Sequence, residues 1–265
     1  MGLEPEDYKD LRRAVDLLEK RRFTARLTHY AGRPIEKLMT TLPARTSDRV
    51  QRVVRFTVRR LLAVAAKTMG KGRHRRASLR FHKMAGGVSG AVGGAFGLPA
   101  LAVELPVSTT IILRSIADIA RSEGEDITSI ECRLACLEVF ALGGRGTAAN
   151  DADTGYYAVR ASLAKAVSEA AQHIAQSGLT HKGAPVLVRF ISQIASRLGV
   201  LVSEKVAAQA IPVLGAAGGA GINLVFMRHF QETAQGHFIV RRLERTYGQE
   251  VVRQAYQELR RTGRS

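Results

Sequence analysis

Several residue types are scarce in this chain of 265 residues, and each scarcity excludes a class of protein. There is no Trp, and aromatic residues make up only 6% of the chain, so little side-chain surface is available for stacking on bases or sugars. Two cysteines, Cys132 and Cys136, are too few for a disulfide scaffold. The first twenty residues alternate in charge and lack the apolar core of a secretory signal. We therefore predict a reducing, cytoplasmic location.

Acidic residues are also scarce, and their scarcity is uneven. The chain holds 40 Lys and Arg against 23 Asp and Glu, a formal net charge of +17, yet 46% of its residues are apolar, which excludes a disordered basic tail. Residues 1–83 carry 22 basic and 8 acidic residues, whereas residues 84–227 are nearly neutral. Twelve basic residues and no acid lie between Arg49 and Lys83. Such a run repels itself unless an anion is near, and it predicts an anionic partner.

Helical signals dominate the whole chain. Apolar residues recur at three- and four-residue spacing, and no segment sustains the alternation of a strand. We predict an all-α fold, a multi-helix bundle with glycine-rich central helices. Asp126 or Thr128 is the predicted cap of one helix, and another is predicted to begin at Pro185 and close at Gly199. The predicted organisation is a basic N-terminal helical region (1–83), an all-α domain (84–248) and a C-terminal basic helix (249–265).

One segment of the basic region predicts an amphipathic helix that Ser47 would cap. At 100° per residue, Val50, Val54 and Leu61 share one side of this helix. The opposite side carries Arg49, Arg52, Arg55, Arg59 and Arg60. We interpret this basic face as a surface for anionic lipid or for a nucleic-acid backbone; an ordinary solvated face is the alternative. Three arginines of the following, less periodic block join the candidate anion-binding residues: Arg73, Arg75 and Arg76.

The chain contains two uncharged segments that are rich in small residues, 84–103 and 206–227. Their glycines recur every fourth residue, which predicts a side-chain-free strip where another helix approaches closely. The candidate packing glycines are Gly86, Gly90 and Gly94 in the first segment and Gly215 and Gly219 in the second. Three interpretations remain open: a buried core, reversible insertion at a membrane, or a transmembrane hairpin, against which the prolines of the first stretch argue.

The sequence contains no recognisable active site. Glu104 lies in an apolar stretch and must be paired, protonated or at a surface. It is our candidate catalytic acid, with a structural ion pair to Arg114, Arg189 or Arg197 as the favoured alternative. We predict no metal and no cofactor. The two cysteines read as a small buried pair, and the His and Glu pairs at helical spacing read as chance neighbours: Glu169 with His173, and His229 with Glu232.

The small-residue segments also carry a family resemblance. The text GLPALAVELPVSTTIILRSIADIA from residue 97 and the text IPVLGAAGGAGIN from residue 211 resemble the EcsC family of bacterial proteins. The motif positions that match are Glu104, Pro106, Pro212 and Asn223. The resemblance covers most of residues 85–248 and leaves the basic first eighty residues outside. It implies little about activity, because the family is of poorly known biochemical function and takes its name from a product encoded beside an ABC-transporter pair.

These observations predict a non-enzymatic protein that attaches reversibly to the anionic inner face of the cell membrane. The resemblance suggests that it assists a membrane transport or secretion complex. Two alternatives stay open: a hydrolase-like enzyme that uses a buried Glu104, and a nucleic-acid-binding protein that uses residues 49–83. The second alternative is the less favoured partner class, because the basic run lacks a helix-turn-helix signature and interleaved aromatic residues.

Overall fold

The computed structural model describes residues 2–20, 23–32, 34–40, 44–68, 101–143, 155–178, 184–210 and 215–262. These residues form helices and no strands, which confirms the all-α prediction. The helices are α1 (Pro5–Val15), followed by a π-helical turn (Asp16–Lys20), α2 (Phe23–Ala31), α3 (Ile35–Thr40), α4 (Ala44–Thr68), α5 (Leu101–Ser122), α6 (Ile130–Leu142), α7 (Tyr156–Ser177), α8 (Pro185–Gln209), α9 (Gly215–Tyr247) and α10 (Gln249–Thr262).

Three predicted helix ends differ from the structure. The hydroxyl of Ser129, rather than Asp126 or Thr128, caps α6 by accepting a hydrogen bond from the backbone N–H of Cys132 at 3.1 Å. Helix α4 begins at Ala44, before Ser47. Helix α8 continues through Gly199 to Gln209. The residues beyond Gly199, such as Leu201 and Val202, are buried in the main core. Gly199 itself lies against the side chain of Gln51 on α4, and a Cβ there would be 2.5 Å from Gln51 Nε2.

Helices α5 and α9 run side by side in the same direction. Glu104 of α5 bonds to Asn223 of α9 near the start of both helices. Halfway along, Gln231 donates to Ser115 at 2.8 Å. Beyond the end of α5, Glu125 accepts from Arg241. The contacts thus advance together along both helices, which requires a parallel arrangement. Pro106 lies inside α5 and does not end it.

The N-terminal helices pack on the central ones: α1 and α2 contact α9, whereas α4 contacts α8 and α5. Phe23 of α2 meets Phe226 of α9 edge-on, with ring centroids 5.6 Å apart. Val54 and Val58 of α4 are buried in the main hydrophobic cluster together with residues of α5 to α9. A second cluster joins α1, α9 and α10 through residues such as Tyr256. The predicted domain boundary at residues 83 and 84 lies outside the described residues.

One helix of the described ranges, α8, is long and apolar enough to cross a membrane. Half of its most apolar stretch is buried inside the protein, against α4 and neighbouring helices. A central helix of a globular bundle meets the same criterion, so this finding does not decide among the three interpretations of the small-residue segments. The first segment lies outside the described residues up to residue 100. Of the second segment, residues 206–210 and 215–227 are described.

Glycine permits one close contact that we expect to be measurable. A Cβ at Gly236 of α9 would lie 2.6 Å from Cγ of Leu18. The variant Gly236→Ala should lose about 1 to 2 kcal/mol of unfolding free energy, because overpacking outweighs the gain in helix propensity. In a Leu18→Ala background the same change should stabilise by about 1 kcal/mol, since only propensity remains. Urea unfolding measures both; equal effects in the two backgrounds would refute the contact.

Candidate functional site

A buried carboxylate and a buried ammonium form the centre of the candidate site. Lys205 of α8 donates from Nζ to both carboxylate oxygens of Glu104 on α5, each at 2.9 Å. Lys205 is 0% exposed and Glu104 is 6% exposed. Two charges removed from water are tolerated only when they neutralise each other and their remaining hydrogen-bonding groups are satisfied.

Helix α9 supplies those remaining interactions. Asn223 donates from Nδ2 to Glu104 Oε1 at 2.9 Å. Phe226 presents its ring to Lys205 Nζ, 4.8 Å from the ring centroid. The two residues are three positions apart, so they share the face of α9 that meets the pair. The cluster therefore joins α5, α8 and α9 through one carboxylate.

Helix α2 bonds to Glu204, the residue of α8 that precedes Lys205. Thr24 donates from Oγ1 to Oε1 of Glu204 at 2.9 Å, and both residues are buried. Two consecutive charged residues of α8 are therefore held inside the bundle by different helices. Both lie within a turn or two of Gln209, where α8 ends. This buried polar cluster therefore lies close to the C-terminal end of α8.

The surroundings of Glu104 favour its charged form. Burial acts to raise the pKa of Glu104, but the charge of Lys205 and the hydrogen bonds from Lys205 and Asn223 outweigh it and lower the pKa below its ordinary value. Burial lowers the pKa of Lys205, against the opposing attraction of Glu104. Glu104 is thus an ionised partner in a structural pair and not an acid with a raised pKa.

The favoured sequence interpretation of Glu104 was an ion pair, and the structure contains one with a different partner. Arg114 is exposed on α5, and Arg189 bonds to Glu169 at 3.1 Å. The partner is Lys205 rather than Arg114, Arg189 or Arg197, because helix packing brings the buried Lys205 of α8 against Glu104. Glu104 and Asn223, two of the four motif positions, meet directly. Pro106 follows Glu104 by two residues within α5, and Pro212 lies outside the described residues.

A second buried polar cluster has no counterpart in the sequence interpretation. Tyr156 of α7 bonds through its hydroxyl to Nδ1 of His237 on α9 at 2.8 Å. Arg160 donates to the Tyr156 hydroxyl at 3.4 Å and to Glu244 at 2.8 Å. The Nε2 atom of His237 has no hydrogen-bond partner among the described residues.

The same region contains a carboxyl group with an unusual pKa. Glu138 of α6 is 5% exposed. Burial raises its pKa to about 7, against the opposing attraction of Arg160 and Arg241, and with a further rise from Glu244. Burial also lowers the pKa of His237 well below its ordinary value, so this imidazole is neutral at pH 7. Sequence patterns gave no signal for this cluster, since its members are ordinary positions on three separate helices.

Glu169, Glu232 and His229 have structural partners, and the two cysteines are buried. Both cysteines are buried with free thiols. Glu169 pairs with Arg189, and Glu232 pairs with Arg26 and Arg228. His229 bonds through Nε2 to the carbonyl oxygen of Gly143 at 2.8 Å. Within the described ranges, no three His, Cys, Asp or Glu side chains converge in a group that would hold a metal ion.

The predicted basic face of α4 lies at the surface of the protein. Arg49, Arg52, Arg55, Arg59 and Arg60 are all exposed, while the buried side of α4 contributes to the main core. None of these five arginines forms an ion pair with an acid in the described part of the chain. The remaining anion-binding candidates, Arg73, Arg75 and Arg76, lie outside the described residues.

Only two of the predicted packing glycines lie among the described residues. Gly86, Gly90 and Gly94 lie outside the described residues. Gly215 begins α9, and Gly219 is buried in its second turn. Their role in helix contact stays a prediction, whereas close approach is seen at other glycines of the bundle.

Fold and cluster together define a class, an all-α protein in which one buried ion pair links three central helices. Residues 13–243 match the EcsC protein family. The chain belongs to this family, as the sequence resemblance predicted. The match begins in α1 and so extends the resemblance to the basic N-terminal helices. No curated protein and no solved structure matches the chain.

The buried pair predicts a large and specific loss of stability. The variant Glu104→Gln leaves Lys205 charged without its partner and should lower the unfolding free energy by about 3 to 5 kcal/mol. Adding Lys205→Met should recover much of this loss, since both charges are then removed. The exposed pair supplies the control, because Glu169→Gln should cost less than about 1 kcal/mol. Urea unfolding that finds Glu104→Gln no costlier than Glu169→Gln would contradict the assignment.

Glu138 predicts a pH-dependent penalty of the opposite kind. Its folded pKa of about 7 exceeds the ordinary value of 4.5, so the folded protein binds a proton that the unfolded chain releases as the pH rises between these values. Glu138 therefore costs stability above about pH 7 and little below pH 4.5. We expect Glu138→Gln to stabilise by up to about 3 kcal/mol at high pH only. Unfolding curves across this range measure the difference, with exposed Glu131→Gln on the same helix as control; a pH-independent effect of Glu138→Gln would contradict the raised pKa.

Proposed function

We propose that this protein is non-enzymatic and binds reversibly to the anionic inner face of the cell membrane through α4. The observation that carries the proposal is the row of five exposed arginines with no acidic partner in the described ranges. Arg49 to Arg60 extends along about 16 Å of the helix. A helix that packs on the core therefore holds these charges on one exposed side, which suits an anionic surface.

Charge distribution elsewhere in the protein supports this assignment. Acids near the end of α5 are already engaged, because Glu123 and Glu125 pair with Arg242, Arg241 and Arg245. The uncompensated part of the +17 charge therefore includes α4. Each exposed Lys or Arg near an anionic leaflet contributes about 1 kcal/mol, and this contribution weakens as salt screens it.

The partner in the membrane is the finer part of the proposal. The family resemblance suggests a transport or secretion complex, for which this protein would act as an auxiliary subunit at the inner face. The hydrolase alternative is less favoured by the geometry, because both oxygens of Glu104 are occupied by Lys205 and its pKa is lowered. The nucleic-acid alternative shares the arginines and is separated by experiment.

The expected binding site can be tested with matched charge removal. A triple variant, Arg52→Ala with Arg55→Ala and Arg59→Ala, should lower partitioning onto phosphatidylcholine vesicles containing one third phosphatidylglycerol by roughly 100-fold at low salt. The reason is the loss of three charges that face the headgroups. A control triple variant at the exposed residues Arg189, Arg253 and Arg261 removes the same charge from α8 and α10 and should change partitioning far less. Vesicle co-sedimentation gives both values.

Two results would overturn the proposal. Equal losses in the two triple variants would show general attraction of a basic protein and no dedicated face. A DNA duplex can be added to the vesicle-bound wild-type protein at matched salt, with less DNA phosphate than lipid phosphate. Displacement of the protein from the vesicles under these conditions would favour the nucleic-acid alternative. Retention on vesicles under that competition supports the membrane assignment.

A further inference from the structure

An exposed phenylalanine lies at the centre of the basic face of α4. Phe56 follows Arg52 by four residues and precedes Arg59 and Arg60 by three and four, so all four side chains share one side of the helix. Its exposed fraction is 56%. The arginines therefore surround an aromatic ring that points away from the protein.

Phe56 differs from the other described phenylalanines in its surroundings. Six are buried in the core: Phe23, Phe140, Phe190, Phe226, Phe230 and Phe238. Isolated exposed apolar residues are common on proteins and need no explanation. An aromatic ring framed by unpaired arginines is a different case, because the combination matches the headgroup region of a bilayer, where charge and apolar surface lie a few ångströms apart.

We propose that Phe56 inserts between lipid headgroups into the upper acyl region while Arg52, Arg59 and Arg60 contact the phosphates. This inference rests on the proposed membrane binding. It specifies how deeply the helix is inserted, and it specifies that the binding partner is a fluid anionic bilayer and not simply any polyanion. Helix α4 then lies in the plane of the membrane. Arginine side chains reach back toward the phosphates from a helix seated at this level.

The aromatic ring also separates a bilayer from other anionic partners. A DNA duplex offers phosphates to the arginines but keeps its bases stacked, so a ring at the centre of a helix face finds no apolar site along its backbone. Single-stranded nucleic acid does offer unstacked bases. A bilayer accepts both the ring and the charges, and we favour it on this complementarity.

The absence of Trp from the chain makes the depth of insertion measurable. The variant Phe56→Trp carries a single tryptophan at the centre of the basic face. On addition of the same phosphatidylglycerol vesicles, its emission should shift to shorter wavelength and should be quenched by lipids brominated on the acyl chain. A matched control is Val188→Trp, at an exposed position on α8. Its emission should stay that of a hydrated indole.

A second variant measures the contribution of the ring to binding. Burial of a phenylalanine side chain corresponds to a change in partitioning of roughly 10- to 100-fold, and Phe56→Ala should lose that factor while Phe56→Leu keeps most of it. The loss should persist at high salt, because apolar contact is not screened. Unchanged urea midpoints are expected for all three Phe56 variants, since the side chain is exposed.

The outcomes distinguish this inference from the proposed function. Vesicle binding without a spectral shift and without loss in Phe56→Ala overturns insertion but leaves electrostatic membrane binding intact. Absence of binding to anionic vesicles by the wild-type protein overturns both. A spectral change with single-stranded DNA that exceeds the change with vesicles overturns the lipid assignment in favour of base stacking.

Discussion

The packing of the central helices depends on one buried ion pair, between Lys205 and Glu104. Lys205 is fully buried and gives two hydrogen bonds to one carboxylate, while Asn223 and Phe226 supply the remaining contacts. An isolated ammonium at this depth would be prohibitively costly. The positions of α5, α8 and α9 are therefore coupled, because none of the three helices can shift without exposing a charge to an apolar environment. Removal of one partner of such a pair is strongly destabilising, whereas replacement of both by apolar residues is often neutral.

Ionic interactions elsewhere decide where the excess positive charge is left. Arg242 contacts Asp7, Asp10 and Glu123 together and so ties α1 to α9 beyond the end of α5. The acids that pair with Arg242 do not neutralise the arginines of α4, which are exposed to solvent. Several acids are thus engaged by arginines of α9, while the exposed arginines of α4 have no acidic partner in the described ranges. This separation supports a role for the basic face of α4 in binding.

The two buried polar clusters differ in physical character. Around Glu104 the charges are balanced, and the carboxylate is held ionised. Around Glu138 burial dominates, so a carboxyl group with a pKa of about 7 lies near the neutral His237 and the Tyr156 hydroxyl. The first cluster acts as a structural bond. The second stores a titratable group in the interior, and it makes the stability of the bundle depend on pH near neutrality.

Local features were predictable from the chain because they depend on near neighbours. Helical periodicity predicted the all-α class and the two faces of α4. Other features required the tertiary structure. The partner of Glu104 is 101 residues away, and the partner of Tyr156 is 81 residues away. Gly199 predicts a helix end from local sequence, yet α8 continues past it because the following residues, such as Leu201 and Val202, pack in the core. The spacing of apolar residues in the sequence determines which face of a helix is buried. Which polar residues of two different helices form a contact is decided only by the packing of all the helices, because the segments that meet are far apart in the chain.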